Sequence, residues 1–393
     1  MTSQPQRQSP TDDVPAPLPD GPRAMAAPLT VGVEEEFLLV DPVTRAVRPQ
    51  GPQVAAAAAG ELGHRVGTEL TRYQVEGRTS PHTCLSEAAE EIRATRAVLA
   101  RAAAGRGLRI ASSGSPITGL VAPVPLTPGR RYAESLSVFR ALDDEQSACA
   151  CHVHVGVADP GEAIEVSNHL RPWLPTLTAL AANSPYWNGR DTGYASWRTT
   201  TWGRWPVAGP PPYFDSTAHF QDPVEELILT RAVMDHGGLY WDIRPSHHLP
   251  TIEVRVADAG LTPEDTVLLA AVIRALVATA LGAIRAGEPA PRPAPEMLRA
   301  ACWRAARDGL AGQALDPVTR QLVRTTSQVE RMLRALAPAL RRSGDLDLVR
   351  THWDRLRTQG SGADRQRAAY RHRSSLHDVV DHVIDATWTS PTL

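Results

Sequence analysis

The sequence predicts an α+β chain in which an antiparallel sheet is backed by helices. Three observations carry this. Short stretches alternate polar and apolar residues at period two, as in Thr251-Ile252-Glu253-Val254-Arg255-Val256. Long helical patterns fall between and after them without the regular strand–helix alternation of a nucleotide-binding parallel sheet. No Gly-x-Gly-x-x-Gly motif occurs. The 393 residues suffice for a sizeable core.

In chain order, the first 28 residues are polar and proline-rich and read as a disordered tail. Residues 29–393 read as one α+β domain. Thr30 to Val40 reads as a strand closed by the Asp41-Pro42 turn. Ser86 to Ala104 reads as a helix with Leu85, Ala89, Ile92 and Leu99 on one stripe, Ser86 as its cap and Gly105 at its end. Ala148 to Val157 alternates as a strand. Ser184 to Phe220, rich in Trp, Gly and Pro, reads as a long irregular loop. Trp241 to Val256 reads as two strands joined by a turn between Pro245 and Pro250. Thr262, Pro263, Glu264 and Asp265 supply an N-cap, a first-turn proline and acidic residues for a helix running to about Gly287. From Ala294 onward the chain reads as helical, with breaks near 309–317, 343–344 and 359–362.

Composition removes several function classes. Lysine is absent, so all 41 basic residues are arginine. A P-loop lysine, a Schiff-base lysine and a biotin or pyridoxal-phosphate attachment site are thereby excluded. Phosphate, if handled, falls to arginine and metal. The net charge of −2 gives no field for nucleic acid or an acidic membrane. The apolar run from Thr266 to Ile284 carries Arg274 near its centre. A charge there costs roughly 2.5–3.5 kcal/mol in a bilayer, so the run is expected as a buried helix of a cytoplasmic protein. The four cysteines, Cys84, Cys149, Cys151 and Cys302, make no disulfide framework.

Several constellations carry chemistry. In Gly32-Val33-Glu34-Glu35-Glu36, strand alternation sends Glu34 and Glu36 to one face and Glu35 to the other. Two carboxylates about 7 Å apart repel by roughly 2 kcal/mol at an effective dielectric near 20, so that face needs cations. A metal site and a solvated edge strand are both open. In Cys149-Ala150-Cys151-His152-Val153-His154, the cysteines face one way and the histidines the other, so one tetrahedral ion cannot take all four. His152 and His154 share a face with Gly156, as ligands or as structural histidines. Glu253 and Arg255 stand opposite an apolar face on their strand. Glu69 and Glu76 form another acidic pair, and Arg190, Arg198, Arg204, Arg244 and Arg255 gather around the Trp- and Pro-rich stretch. Such a set suits hard cations, Mg²⁺ or Mn²⁺, better than zinc, and suits phosphoryl transfer.

The segments GVEEEFLLVDP at 32–42, QVE at 74–76, HVHVG at 152–156, ANSPYWNG at 182–189, DTG at 191–193, RPS at 244–246, TIEVRVAD at 251–258 and WRAARDG at 303–309 resemble, in order, the motifs of the type 2 glutamate–cysteine ligases. The resemblance spans about residues 30 to 390. It implies a curved antiparallel sheet with a glutamine-synthetase-like active site. Glu34, Glu36, Glu69, Glu76, His154 and Glu253 would ligate two or three Mg²⁺ ions, and Arg255 would contact ATP. Arg198 and Arg244 would hold phosphate or substrate carboxylates. It further implies small-molecule substrates: a carboxylate such as glutamate and an amine such as cysteine. A homo-oligomer is left open. Gly114-Ser115-Pro116-Ile117 departs from the family pattern, which has a His-Pro segment there. A binuclear metallohydrolase and a non-catalytic nucleotide-binding module are the alternatives.

Overall fold

The computed structural model describes residues 28–388; the proline-rich tail expected over 1–28 lies almost wholly outside them. The described residues form eleven strands: β1 (Val31–Val40), β2 (Val66–Thr68), β3 (Gln74–Arg78), β4 (Arg109–Ala111), β5 (Ala150–Gly156), β6 (Tyr186–Trp187), β7 (Arg190–Asp191), β8 (Ile243–Pro245), β9 (Thr251–Asp258), β10 (Gln313–Leu315) and β11 (Leu322–Arg324). Seven form one open antiparallel sheet in the order β2-β3-β1-β5-β9-β8, with β4 also paired to β1. This is the antiparallel, helix-backed architecture expected.

Among the described residues fourteen α-helices accompany it: α1 (Gly51–Leu62), α2 (Leu85–Ala104), α3 (Arg130–Phe139), α4 (Ala141–Asp144), α5 (Pro160–Leu170), α6 (Leu174–Leu180), α7 (Trp197–Trp202), α8 (Thr217–Leu229), α9 (Pro263–Arg285), α10 (Pro295–Asp308), α11 (Thr325–Ser343), α12 (Leu346–Gln359), α13 (Gly362–Arg373) and α14 (Leu376–Thr387). One sheet face is apolar. Val31, Val33, Val153, Val155, Ile252, Val254 and Val256 are buried there against α9 and its neighbours. The other face is polar and open to a cleft.

Helix α9 is the apolar run expected as a buried helix. A capping box between Thr262 and Asp265 starts it, with Pro263 in the first turn. It is long and apolar enough to cross a membrane, yet it packs against α2, α5, α11 and α12. Arg274 is tolerated inside because its guanidinium pairs with Asp345 and donates to the Thr83 carbonyl at 2.5 Å and the Leu29 carbonyl at 3.3 Å.

Three local expectations are corrected. The stretch from Ser184 to Phe220 holds the β6–β7 hairpin, α7 and the start of α8. Ser196 and Ser216 cap those two helices through their side chains, so the serines outweigh the surrounding Trp and Pro. Helix α2 begins at Leu85, with Cys84 at the cap position; Ser86 is already inside the first turn and caps nothing. The break at 309–317 contains strand β10, which pairs with β11.

Candidate active site

Register builds the site. Directly opposed residues on antiparallel strands share a face. Glu36 stands opposite Glu76, and Glu34 opposite both Arg78 and His152. Farther along, His154 faces Glu253, which faces Arg244 on β8. Five strands thus bring residues from positions 34 to 253 onto one polar surface. Between Cys151 and Val153 the pairing with β9 slips by one residue. A bulge of this kind re-aims side chains, and here it sets Arg255 beside His152, with Nη1 3.4 Å from Nδ1.

Two triads emerge. In each, the ligand atoms of all three residues lie within 4.8 Å of one another: Glu36, Glu69 and Glu76 in one, Glu34, His154 and Glu253 in the other. All six residues singled out as metal ligands in the sequence are therefore brought together. Glu69 joins from the turn between β2 and β3. Its loop is fastened by Thr127, whose hydroxyl donates to the Glu69 carbonyl at 2.5 Å.

The electrostatics of the triads differ. Burial, aided by mutual repulsion, raises Glu36 to about 7, Glu69 to about 8 and Glu76 well above the ordinary carboxylate range. Glu36 accepts from the Ala150 amide at 2.8 Å, and Arg78 pairs with Glu76, which offsets only part of the cost. In the second triad burial also pushes upward, but for Glu34 the bonds to His152 and His154 outweigh it. For Glu253, Arg255 and Arg244 do the same. Both carboxylates are held well below the usual range.

These groups fit divalent cations. Three close carboxylates need either protons or a cation to coexist. The His154 Nδ1 is engaged by the Thr251 hydroxyl at 3.0 Å, and its buried Nε2 faces the Glu34 carboxylate at 3.6 Å, beyond normal hydrogen-bond length. An imidazole oriented through one nitrogen, with the other turned toward a carboxylate of the same triad, is prepared to ligate. Five carboxylates and one imidazole make an oxygen-rich set suited to hard ions.

The arginines separate by commitment. Arg255 pairs with Glu253 but leaves its buried Nε unpartnered. Arg244 grips Glu253 at 2.8 Å and donates Nη1 to the Leu239 and Gly237 carbonyls at 2.7 and 3.0 Å. Arg198, on α7, lines the cleft, donates to the Arg255 and Val256 carbonyls at 3.1 and 3.4 Å, and like Arg255 leaves its buried Nε unpartnered. Arg190 is exposed on β7 and Arg204 pairs with Glu145; neither lines the cleft.

The cleft has a volume of about 360 Å³. Beyond the residues already named, its walls include Arg131 and Tyr132 of α3, with Trp202, Trp205 and Tyr240. Trp202 and Trp205 meet Tyr240 edge-on, at 4.8 and 5.2 Å between ring centroids. The Trp-rich stretch signalled the tryptophans. Nothing in the local pattern of α3 signalled Arg131 or Tyr132, because a solvent-facing helix and a cleft wall look alike in sequence. His152, grouped with His154 on its face but not among the ligands, contacts Glu34 at 3.2 Å. Burial and Arg255 lower its pKa to about 4.

Other motifs hold the frame. Asp258 accepts from the Asn183 amide at 2.8 Å, the Ser184 hydroxyl at 2.7 Å and the Ser196 hydroxyl at 2.8 Å, tying the α7 cap to the end of β9. A Cβ at Gly114 would lie 2.7 Å from the Asp258 carboxyl carbon. The absence of a side chain at Gly114 thus leaves room for this knot.

An open antiparallel sheet, backed by helices and presenting an acidic face to a cleft, places the chain in the class of glutamate–cysteine-ligase- and glutamine-synthetase-like folds. Within that class it belongs to the glutamate–cysteine ligase family 2, whose model matches residues 30–382. A Saccharopolyspora erythraea protein provisionally named glutamate–cysteine ligase 2-1 is 45% identical over 361 residues, covering 91% of this chain and 95% of that protein. A Mycobacterium sp. (strain KMS) protein provisionally named glutamate–cysteine ligase 2-2 is 46% identical over 364 residues, covering 92% and 100%. Among solved structures, the glutamate–cysteine ligase of Francisella tularensis in complex with AMP superposes with a TM-score of 0.69 at 12% identity, covering 92% of this chain and 88% of that one. A bifunctional glutathione synthetase from Pasteurella multocida superposes at 0.65 with 13% identity, covering 92% and 52%.

Proposed function

We propose that the chain is an ATP- and Mg²⁺-dependent carboxylate–amine ligase that forms a γ-glutamyl amide from glutamate and an amine such as cysteine. The observation that carries this reading is the pair of acidic triads on one sheet face, flanked by Arg255 and Arg244. Glu36, Glu69 and Glu76 would hold one ion, and Glu34, His154 and Glu253 another; Mn²⁺ would serve as well. Bound there, the ions supply the charge neutralisation that phosphoryl transfer requires.

The remaining work belongs to side chains. Arg255, with Nε uncommitted, orients the nucleotide phosphates. Arg244 holds Glu253 and the 236–239 rim in place, and Arg198 fixes the β9 backbone beneath Arg255. The aromatic wall of Trp202, Trp205 and Tyr240 excludes water from the activated intermediate. A substrate carboxylate oxygen attacks the γ-phosphorus of ATP, and the bond to the β–γ bridging oxygen breaks, giving an acyl phosphate and ADP. The amine nitrogen then attacks the acyl carbon. The carbon–oxygen bond breaks, phosphate departs with its electron pair, and the nitrogen loses a proton.

Hydroxylamine tests this directly, because it replaces the amine whatever its identity. Enzyme, Mg·ATP, glutamate and hydroxylamine should yield γ-glutamyl hydroxamate and ADP in equal amounts, and chelation should stop both. ADP release without hydroxamate over a broad panel of carboxylic acids overturns the ligase reading. Turnover without nucleotide would instead indicate a hydrolase.

A further inference from the structure

A second cavity, of about 710 Å³, lies outside the cleft, between the Pro206–Tyr213 segment, α8 and the start of α10. Its volume falls within the range of small-molecule sites. Prolines 206, 210, 211, 212 and 223 with Tyr213, Trp241 and Leu298 give it an apolar lining, and Arg171, Arg292 and Arg299 add positive charge. Glu226 is the acid on this lining.

Arg171 is the informative group. It is only 3% exposed. Its Nε donates to the Pro211 carbonyl at 2.8 Å, and its guanidinium lies 5.8 Å from the centre of the Tyr213 ring. Its buried Nη1 has no partner, and no carboxylate ion-pairs with it among the described residues. A buried guanidinium without a counter-charge is costly. Every other deeply buried arginine here meets a carboxylate: Arg96 has Glu35, Arg274 has Asp345, and Arg198 lies 4.0 Å from Asp258. Arg292, whose guanidinium lies 3.8 Å from the centre of the Tyr213 ring, is already paired with Asp215. Arg299 is exposed and has no ion-pair partner among the described residues.

We infer that this cavity is a second binding site, distinct from the catalytic cleft, for a small aromatic carboxylate. The carboxylate takes the unpartnered guanidinium of Arg171, Arg299 adds attraction at the rim, and the aromatic body packs on Tyr213, Trp241 and the prolines. The wall between this site and the cleft is shared. Trp205 and Tyr240 line the cleft, whereas Pro206 and Trp241, their chain neighbours, line the second cavity.

Phenylacetate serves as the probe, with phenylacetamide as its neutral counterpart. Both are titrated against the full-length protein and followed by ligand-observed NMR. Phenylacetate should bind saturably, phenylacetamide at least about tenfold more weakly, because its neutral carbonyl accepts from the guanidinium without the ion pair. Arg171→Gln should weaken phenylacetate about tenfold or more, and Arg299→Glu about threefold. ATP should not fully displace it. Should Arg171→Gln fail to fold, Arg299→Glu and the neutral probe decide alone. No saturable binding, equal affinity for the two probes, affinities unmoved by the variants, or full displacement by ATP would each overturn the assignment. None of these readouts depends on turnover, so the proposed ligase chemistry and this site fail separately.

Discussion

Strand β1 carries a buried carboxylate to each side of the sheet, and the two sides treat it oppositely. On the apolar side Glu35 receives Arg96 through Nε at 3.1 Å and Nη2 at 2.5 Å, and the Thr266 hydroxyl at 2.6 Å. Arg96 then spends its remaining donors on the Gly260, Leu261 and Thr387 carbonyls. That network is closed. On the cleft side Glu36 meets two further carboxylates, the Ala150 amide at 2.8 Å and, more distantly, the Gln74 side-chain amide at 3.4 Å. Arg198 and Arg255 offset only part of the cost of burying it there. Burial alone therefore does not distinguish structure from function. Completeness of the partner set does, because a satisfied buried charge stabilises the fold whereas an unsatisfied one is a cost that only a ligand relieves.

The largest expected effect breaks the cleft side. Glu34→Gln and Glu36→Gln should each lower ATP turnover by about 10²–10³-fold, in line with removal of a preorganised charge from a reaction centre. In chelator, the melting temperature of Glu36→Gln should not fall, since the substitution removes repulsion. A variant that loses activity only in step with lost folding would make the cleft side structural after all.

Glu35→Gln should do the reverse. Leaving Arg96 buried against a neutral partner should cost about 3–5 kcal/mol of stability in a urea titration. Turnover per folded molecule should change only severalfold. Turnover falling as far as in Glu36→Gln, with the fold intact, would show that the two faces are not independent.

The contrast also predicts a pH dependence. Glu36, at about 7, and Glu69, at about 8, hold protons in the folded state that an unfolded glutamate has released by about pH 5. The native state then binds more protons than the unfolded state, so stability in chelator should fall as pH rises from 5 to 8. Saturating Mg²⁺ should flatten that slope and give its greatest gain in melting temperature at pH 8. A slope unchanged by Mg²⁺ would separate these carboxylates from metal binding.

The smallest effect concerns the arginines. Arg255→Lys should slow turnover more than Arg244→Lys, because lysine cannot reproduce a planar multi-donor grip on phosphate. Arg244→Lys should chiefly raise KM by loosening the 236–239 rim. The opposite ranking in steady-state kinetics would exchange their roles.

Much of this was legible along the chain. Period-two alternation separated Glu34 and Glu36 from Glu35 and set Glu253 and Arg255 opposite Ile252 and Val254, because side-chain direction in a strand is a local property. The capping box at Thr262 and the burial of α9 were equally local. The serine caps at 196 and 216 are local as well, but they lie among Trp and Pro whose pattern reads as loop. What the chain alone could not give was how the six acidic and imidazole groups divide into two triads. That follows from the register of β3, β1, β5 and β9, and from the loop that carries Glu69 to Glu36 and Glu76. The same holds for Arg96, whose place in a helical pattern says nothing of a carboxylate 61 positions earlier. Alternation and capping depend on residues within a turn or two. Register, the β9 bulge and the closing of ion pairs depend on contacts between distant segments, and those exist only once the sheet and its backing helices have packed.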